Sequence, residues 1–145
     1  DRCYWKSTYL KSLDEPTITA VTKGLAARPS EMTFASIWKF GGQFQRVAPD
    51  ATAFGDRSMP FMLSLDAIWS EANDDDANIA WARTVWGDMQ PHSTGRMYLN
   101  FPGLGEGDGF VREAFGQTAF QQLQQVKRKF DPDNIFRMNQ NIAPE

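Results

Sequence analysis

Tyr98 and Asn100 stand two residues apart in the run Gly95-Arg96-Met97-Tyr98-Leu99-Asn100-Phe101. A phenol donates or accepts a hydrogen bond, and beside an oxidising group it can take a proton. A carboxamide presents a donor and an acceptor together, which suits the edge of a planar heterocycle. The run reads as a short strand, where positions two apart project to one face. Both polar groups then point the same way. The competing reading has Met97 and Leu99 in the core while Tyr98 and Asn100 face water, and the pattern alone leaves both open.

Other residues offer less. His92 is the one histidine, in the turn Pro91-His92-Ser93-Thr94-Gly95, and reads as a surface or capping group rather than a catalytic one. A Ser-His-Asp arrangement is not convincing around it. Asp74, Asp75 and Asp76 read as a solvated helix start, where the helix dipole favours negative charge. Cys3 is the one cysteine, so an internal disulfide is excluded, and no metal site is expected from one Cys and one His.

These groups need a scaffold, and composition limits what it can be. The chain has 145 residues, 41% of them hydrophobic and 23% charged, which describes one ordinary globular domain rather than a disordered or fibrous chain. Lys and Arg number 15 against 18 Asp and Glu, giving a net charge of −3. That balance argues against nucleic acid as a partner. No run of 18 apolar residues exists, so no membrane span is expected. Aromatic residues make up 13%, enough for an aromatic core or a planar ligand face. No N-x-S/T acceptor is present, and with the single Cys this favours a bacterial cytoplasmic location. The chain opens on Asp1 without a signal-like region, and the expectation is that an upstream portion is missing.

Tyr4 to Leu10 reads as an extended entry segment. Ser12, Asp14 and Pro16 mark a helix start, Ile18, Val21 and Leu25 give it one apolar face, and Pro29 is its latest end. Met32 to Phe40 reads as a strand, broken by Gly41-Gly42, with a second strand over Gln43 to Val47. Met59 to Trp69 alternates with apolar residues on both faces, so it belongs inside a sheet. Ile79, Ala82, Val85, Trp86 and Met89 trace a helical stripe closed by Pro91. Pro102 to Gly109 is a glycine-rich connector. Phe120, Leu123, Val126 and Phe130 define a last helix, followed by the turn Asp131-Pro132-Asp133-Asn134. The expected fold is α+β, an antiparallel sheet with helices packed on one face.

Tyr98-Leu99-Asn100-Phe101, the helix carrying Val126 to Phe130, and the tail Asp131 to Ile142 closely resemble the C-terminal signature of the berberine-bridge-enzyme-like FAD-linked oxidases. Tyr4-Trp5-Lys6-Ser7, Gly41-Gly42, Ala51-Thr52-Ala53-Phe54 with Arg57, Trp81-Ala82-Arg83 and Pro91 to Gly95 also fit, so the resemblance covers essentially the whole chain. It implies residues 1–97 as substrate-binding domain and 98–145 as a segment returning to an FAD-binding domain elsewhere in the same protein. In this family the sheet lies over the flavin. Carried over, Tyr98 is the catalytic, proton-removing tyrosine, and Asn100, Asn139, Gln140 and Asn141 contact the cofactor. Phe40, Gln43 and Gln45 line the substrate pocket. Some members carry an acidic base just after the double glycine, whereas here Gln43, Gln45 and Arg46 follow it. His92 and Cys3 stand outside the family's covalent flavin-attachment motifs. The implied reaction oxidises an alcohol or amine carbon of a small molecule, with hydride passing to FAD and O2 as acceptor. The fragment alone should be inactive and, with its cofactor-facing side apolar, should self-associate. The alternative is a stand-alone ligand-binding or interaction module derived from such an enzyme.

Overall fold

The computed structural model describes residues 1–48, 51–54, 57–103 and 109–144. They form two compact units, Asp1–Phe40 with Met59–Gly105 and Gly41–Ser58 with Glu106–Glu145.

The first unit is built on an antiparallel sheet of β1 (Arg2–Leu10), β2 (Phe34–Lys39) and β3 (Phe61–Trp69) in the order β1-β3-β2. β3 is central because both of its faces can be buried, as its sequence foreshadows. Leu63, Leu65, Ala67 and Trp69 turn towards α1 (Glu15–Ala26) and α3 (Asp75–Asp88) and join Tyr4, Leu10, Val21, Trp81, Val85 and Met89 in one core. Each large apolar side chain buried there is worth about 1.5–3 kcal/mol against exposure. Fold class therefore matches the sequence reading: α+β, with helices on one face of an antiparallel sheet.

Tryptophan N–H groups fasten the helices. Trp81 Nε1 donates to Gly24 O at 2.8 Å, Trp86 Nε1 to Ser7 O at 3.0 Å, and Trp69 Nε1 to Asp75 Oδ1 at 2.7 Å. Gly24 is required where α1 meets α3, since a Cβ there would sit 2.7 Å from Val85 Cγ1.

Asp14 caps α1, accepting from Thr17 N at 3.0 Å and Thr17 Oγ1 at 2.6 Å, with Ser12 Oγ at 2.9 Å. These bonds, the Thr17 hydroxyl foremost, hold its carboxyl down to about 2. A depressed carboxyl stabilises the fold above its unfolded value of about 3.9 and loses that contribution as pH falls towards the folded value. Asn caps without titrating. Thermal midpoints measured from pH 5 to pH 2 should therefore fall less steeply in Asp14→Asn than in the wild type.

Three details differ from the sequence reading. Ile18 is 48% exposed, and α1 buries Thr17 and Val21 instead. Gln43–Arg46 is a single helical turn, α2, rather than a strand, because Gly42 at φ 58° redirects the chain and no strand pairs with it. Gly95 to Phe101 is not a strand either. The pairing falls one step earlier, with Lys11 N donating to His92 O, Thr94 N to Tyr9 O and Tyr9 N to Arg96 O along the edge of β1. Gly95 sits at φ 79°, and the chain then folds into a turn closed by Phe101 N to Tyr98 O at 2.9 Å.

The second unit holds α2, α4 (Gly109–Phe115) and α5 (Gln117–Phe130). α5 buries Phe120 and Gln124, whereas Val126 is 52% and Phe130 73% exposed, so the expected apolar face is only half used. Of the glycine-rich connector, residues 104–108 lie outside the described residues.

Candidate active site

Tyr98 and Asn100 do come together, though by a turn rather than by strand alternation. Within Tyr98-Leu99-Asn100-Phe101 the Asn100 Nδ2 donates to Tyr98 Oη at 2.9 Å. The bond fixes the phenolic oxygen in position and leaves it an acceptor. Ser7 of β1 fixes the turn. Tyr98 N donates to Ser7 Oγ at 3.1 Å, and that hydroxyl lies 3.3 Å from both Tyr98 O and Phe101 O. Ser7 is 1% exposed, so the anchor is dry.

Ser7 belongs to the sheet face turned away from α1 and α3. Cross-strand partners share a face. The register therefore sets Tyr9, Met62 and Trp38 in one row, Ser7, Ser64 and Ser36 in the next, and Trp5, Asp66 and Phe34 in a third. Phe101 packs edge-on against both Trp5, at 5.5 Å, and Tyr98, at 5.4 Å, so an aromatic line runs from the turn onto the sheet. Asn100, Phe101, Pro102 and Gly103 enclose a hollow of about 220 Å³ with Cys3, Tyr4 and Trp5.

Asp66 is the group that sequence reasoning passed over. It was read only as a polar position in an alternating strand. In the fold it is 9% exposed, accepts from Ser64 Oγ at 2.8 Å, and has no cationic partner among the described residues. Burial pushes its carboxyl above the ordinary range, and the Ser64 bond opposes this only partly. The one signal in the sequence is a lone acidic residue within an otherwise largely apolar strand. A raised carboxyl costs the folded state stability as pH rises from its unfolded value through its folded one. Asp66→Asn should therefore raise the thermal midpoint at pH 7, as read by thermal denaturation beside the wild type. Near pH 3 the gain should vanish.

The other expected site residues divide between the units. Phe40 lies in the first, its ring 6.1 Å from Tyr9 and its N–H donating to Pro60 O at 2.8 Å. Gln43 and Gln45 lie in the second, both exposed on α2. On a helix, positions two apart diverge, so the side-by-side placement expected of a strand is lost. His92 Nδ1 sits 3.2 Å from Thr17 Oγ1 beside the α1 cap, a structural position. No group of three or more His, Cys, Asp or Glu suited to a metal is found among the described residues.

In the second unit the Asp131 carboxyl reverses the chain after α5. It accepts from Ile135 N at 2.7 Å and Phe136 N at 3.1 Å and pairs with Lys127, which holds it below the usual carboxylate range. Asn139, at φ 59°, and Asn141 then line a cavity of about 420 Å³ with Arg112, Phe120 and Gln124. Asn141 Oδ1 is buried without a hydrogen-bond partner among the described residues. An orphaned carboxamide oxygen in a cavity fits a ligand N–H such as the imide of a flavin ring.

Comparison with known proteins agrees with this architecture. Residues 97–143 match the family described as berberine and berberine like. The chain is 36% identical over 132 residues to the uncharacterised FAD-linked oxidoreductase YvdP of Bacillus subtilis (strain 168), covering 90% of this chain and 28% of that protein. It is 29% identical to berberine bridge enzyme-like 17 of Arabidopsis thaliana, over 78% of this chain and 25% of that one. Its fold superposes on berberine bridge enzyme from Eschscholzia californica with a TM-score of 0.87 at 22% identity, over 99% of this chain and 33% of that one. The chain belongs with the berberine-bridge-enzyme-like FAD-linked oxidoreductases. It spans about 30% of the length of the relatives it matches.

Proposed function

We propose that this chain is the substrate-facing part of an FAD-dependent oxidoreductase that oxidises an alcohol or amine carbon of a small molecule. The observation that supports this most is the Tyr98–Asn100 pair, clamped by Ser7 onto a sheet face that carries exposed Trp5, Phe34 and Trp38. FAD, when bound, accepts the hydride and passes the electrons on, with O2 the expected acceptor. The rest falls to the protein. Tyr98 Oη, entering the step ionised, takes the substrate proton and becomes a neutral phenol, while Asn100 Nδ2 holds that oxygen in position. Phe101 packs edge-on against the Tyr98 ring and steadies it. Phe40 borders the substrate beside Tyr9, while Gln43 and Gln45 offer carboxamides from α2, one to a given surface. Asn139, Gln140 and Asn141 in the second unit, and Asn100 in the first, are each proposed as cofactor contacts, the unpaired Asn141 Oδ1 supporting that role for the second unit. On this reading residues 1–97 form the substrate side and 98–145 return to an FAD-binding domain of the same protein.

The full-length protein tests this. It should purify yellow, with an absorbance band at roughly 450 nm that an alcohol or amine substrate bleaches without air and O2 restores. A colourless full-length protein that takes up no FAD would end the proposal.

A further inference from the structure

Asp66 has no part in the chemistry above, and its surroundings are specific. Its Cα partners are Trp5 on β1 and Phe34 on β2, so an aromatic side chain flanks it on each side at the ordinary cross-strand spacing of about 5 Å. Trp5 is 39% and Phe34 47% exposed, so both rings retain a surface to offer. One carboxylate oxygen is occupied by Ser64 Oγ, and no cation balances the other among the described residues. The nearby basic side chains Arg2, Lys6 and Lys39 belong to the opposite face by strand alternation.

A desolvated carboxylate between two aromatic faces complements one kind of group. The negative faces of the rings and the unbalanced charge both attract a positive centre too bulky or too apolar for water to hold strongly. We propose that Asp66, Trp5 and Phe34 form a receptor for an organic ammonium group, so that the substrate is an amine rather than a neutral alcohol. This rests on the reading that this face meets the substrate, and it needs none of the redox chemistry. Such a ligand would also supply the counter-charge that the folded protein lacks. A neutral alcohol or sugar hydroxyl would leave the carboxylate uncompensated.

The test uses full-length protein and titration calorimetry with benzyltrimethylammonium, against benzyl alcohol as the neutral comparison. The ammonium should bind in preference to the alcohol. Asp66→Asn should weaken it at least tenfold, the scale expected for unit charges about 5 Å apart near a surface. Trp5→Leu should weaken it roughly two- to fivefold, an independent measure that leaves the carboxylate in place. The probe's charge is permanent, so affinity rising from pH 4 to pH 7 reports on the protein. Cys3 and Tyr9 are the other titratable side chains on that face, β2 contributes none, and Tyr98 stands in the adjoining turn. Free thiols and phenols as classes titrate above that window. Equal binding of alcohol and ammonium, or unchanged ammonium binding in both variants, would overturn the proposal. Flavin bleaching by substrate is scored separately. Ammonium binding without bleaching sinks the redox reading and spares this one. Bleaching by alcohols without ammonium preference does the reverse.

Discussion

Replacing Tyr98 by phenylalanine in the full-length protein is expected to slow substrate-driven flavin reduction about a hundredfold or more, the share that a positioned proton acceptor contributes. The substitution removes one oxygen. It keeps the ring that packs edge-on against Phe101 at 5.4 Å, and it keeps the backbone bonds to Ser7, which need no side chain. What is lost structurally is the Asn100–Oη bond on an exposed turn, worth about 0.5–1.5 kcal/mol at most. Thermal midpoint and flavin content should therefore stay nearly constant while the rate collapses. Asn100→Ala should give a smaller loss in the same direction, since the phenol remains and only its supporting donor goes. Stopped-flow bleaching under anaerobic conditions separates the two. An undiminished rate in the Phe variant would remove Tyr98 from the chemistry.

The second large effect is expected at Gly103. The chain passes there at φ 82°, and a Cβ would sit 2.9 Å from Tyr4 Oη and 3.1 Å from the Trp5 carbonyl oxygen. Tyr4 cannot swing away freely: it is 3% exposed and its hydroxyl accepts from Arg83 Nε at 3.1 Å. Gly103→Ala combines left-handed backbone strain of about 1–2 kcal/mol with overpacking of about 1–3 kcal/mol. The loop can relieve both only by lifting off β1, and that carries Phe101 away from Trp5. The expected outcome is a loss of about 2–5 kcal/mol in denaturant unfolding, or a smaller loss with weakened substrate binding if the loop lifts. Wild-type values in both measurements would mean that the loop is not held against the strand.

The sheet was legible because its strands alternate clearly. Leu63, Leu65 and Ala67 on one side of β3, with Met62 and Ile68 on the other, announce burial on both faces, and the Asp14-Glu15-Pro16 start of α1 is written in capping chemistry. The turn at Tyr98 was not legible. Tyr-Leu-Asn-Phe has good strand residues, and only the reach of Ser7, 91 residues away, decides that it curls instead. The same limit hid α2, where a four-residue run of alternating polarity fits either period and Gly42 decides. Asp66 was visible as a letter but not as a site, because its meaning depends on Trp5 and Phe34, which come from strands distant in sequence. Pairing the residue types at Tyr98 and Asn100 survived the wrong local geometry, since a turn and a strand both bring positions i and i+2 close.

The Ser7 clasp has a bearing on how the protein is made. The hydroxyl that receives Tyr98 N lies in the first strand, and that strand is seated only by pairing with β3. A loop of 91 residues must close before the tyrosine has anywhere to rest, and its closure entropy favours the shorter β2–β3 pairing beforehand. A chain emerging from the ribosome would thus hold most of its sheet before the Tyr98 turn has a seat.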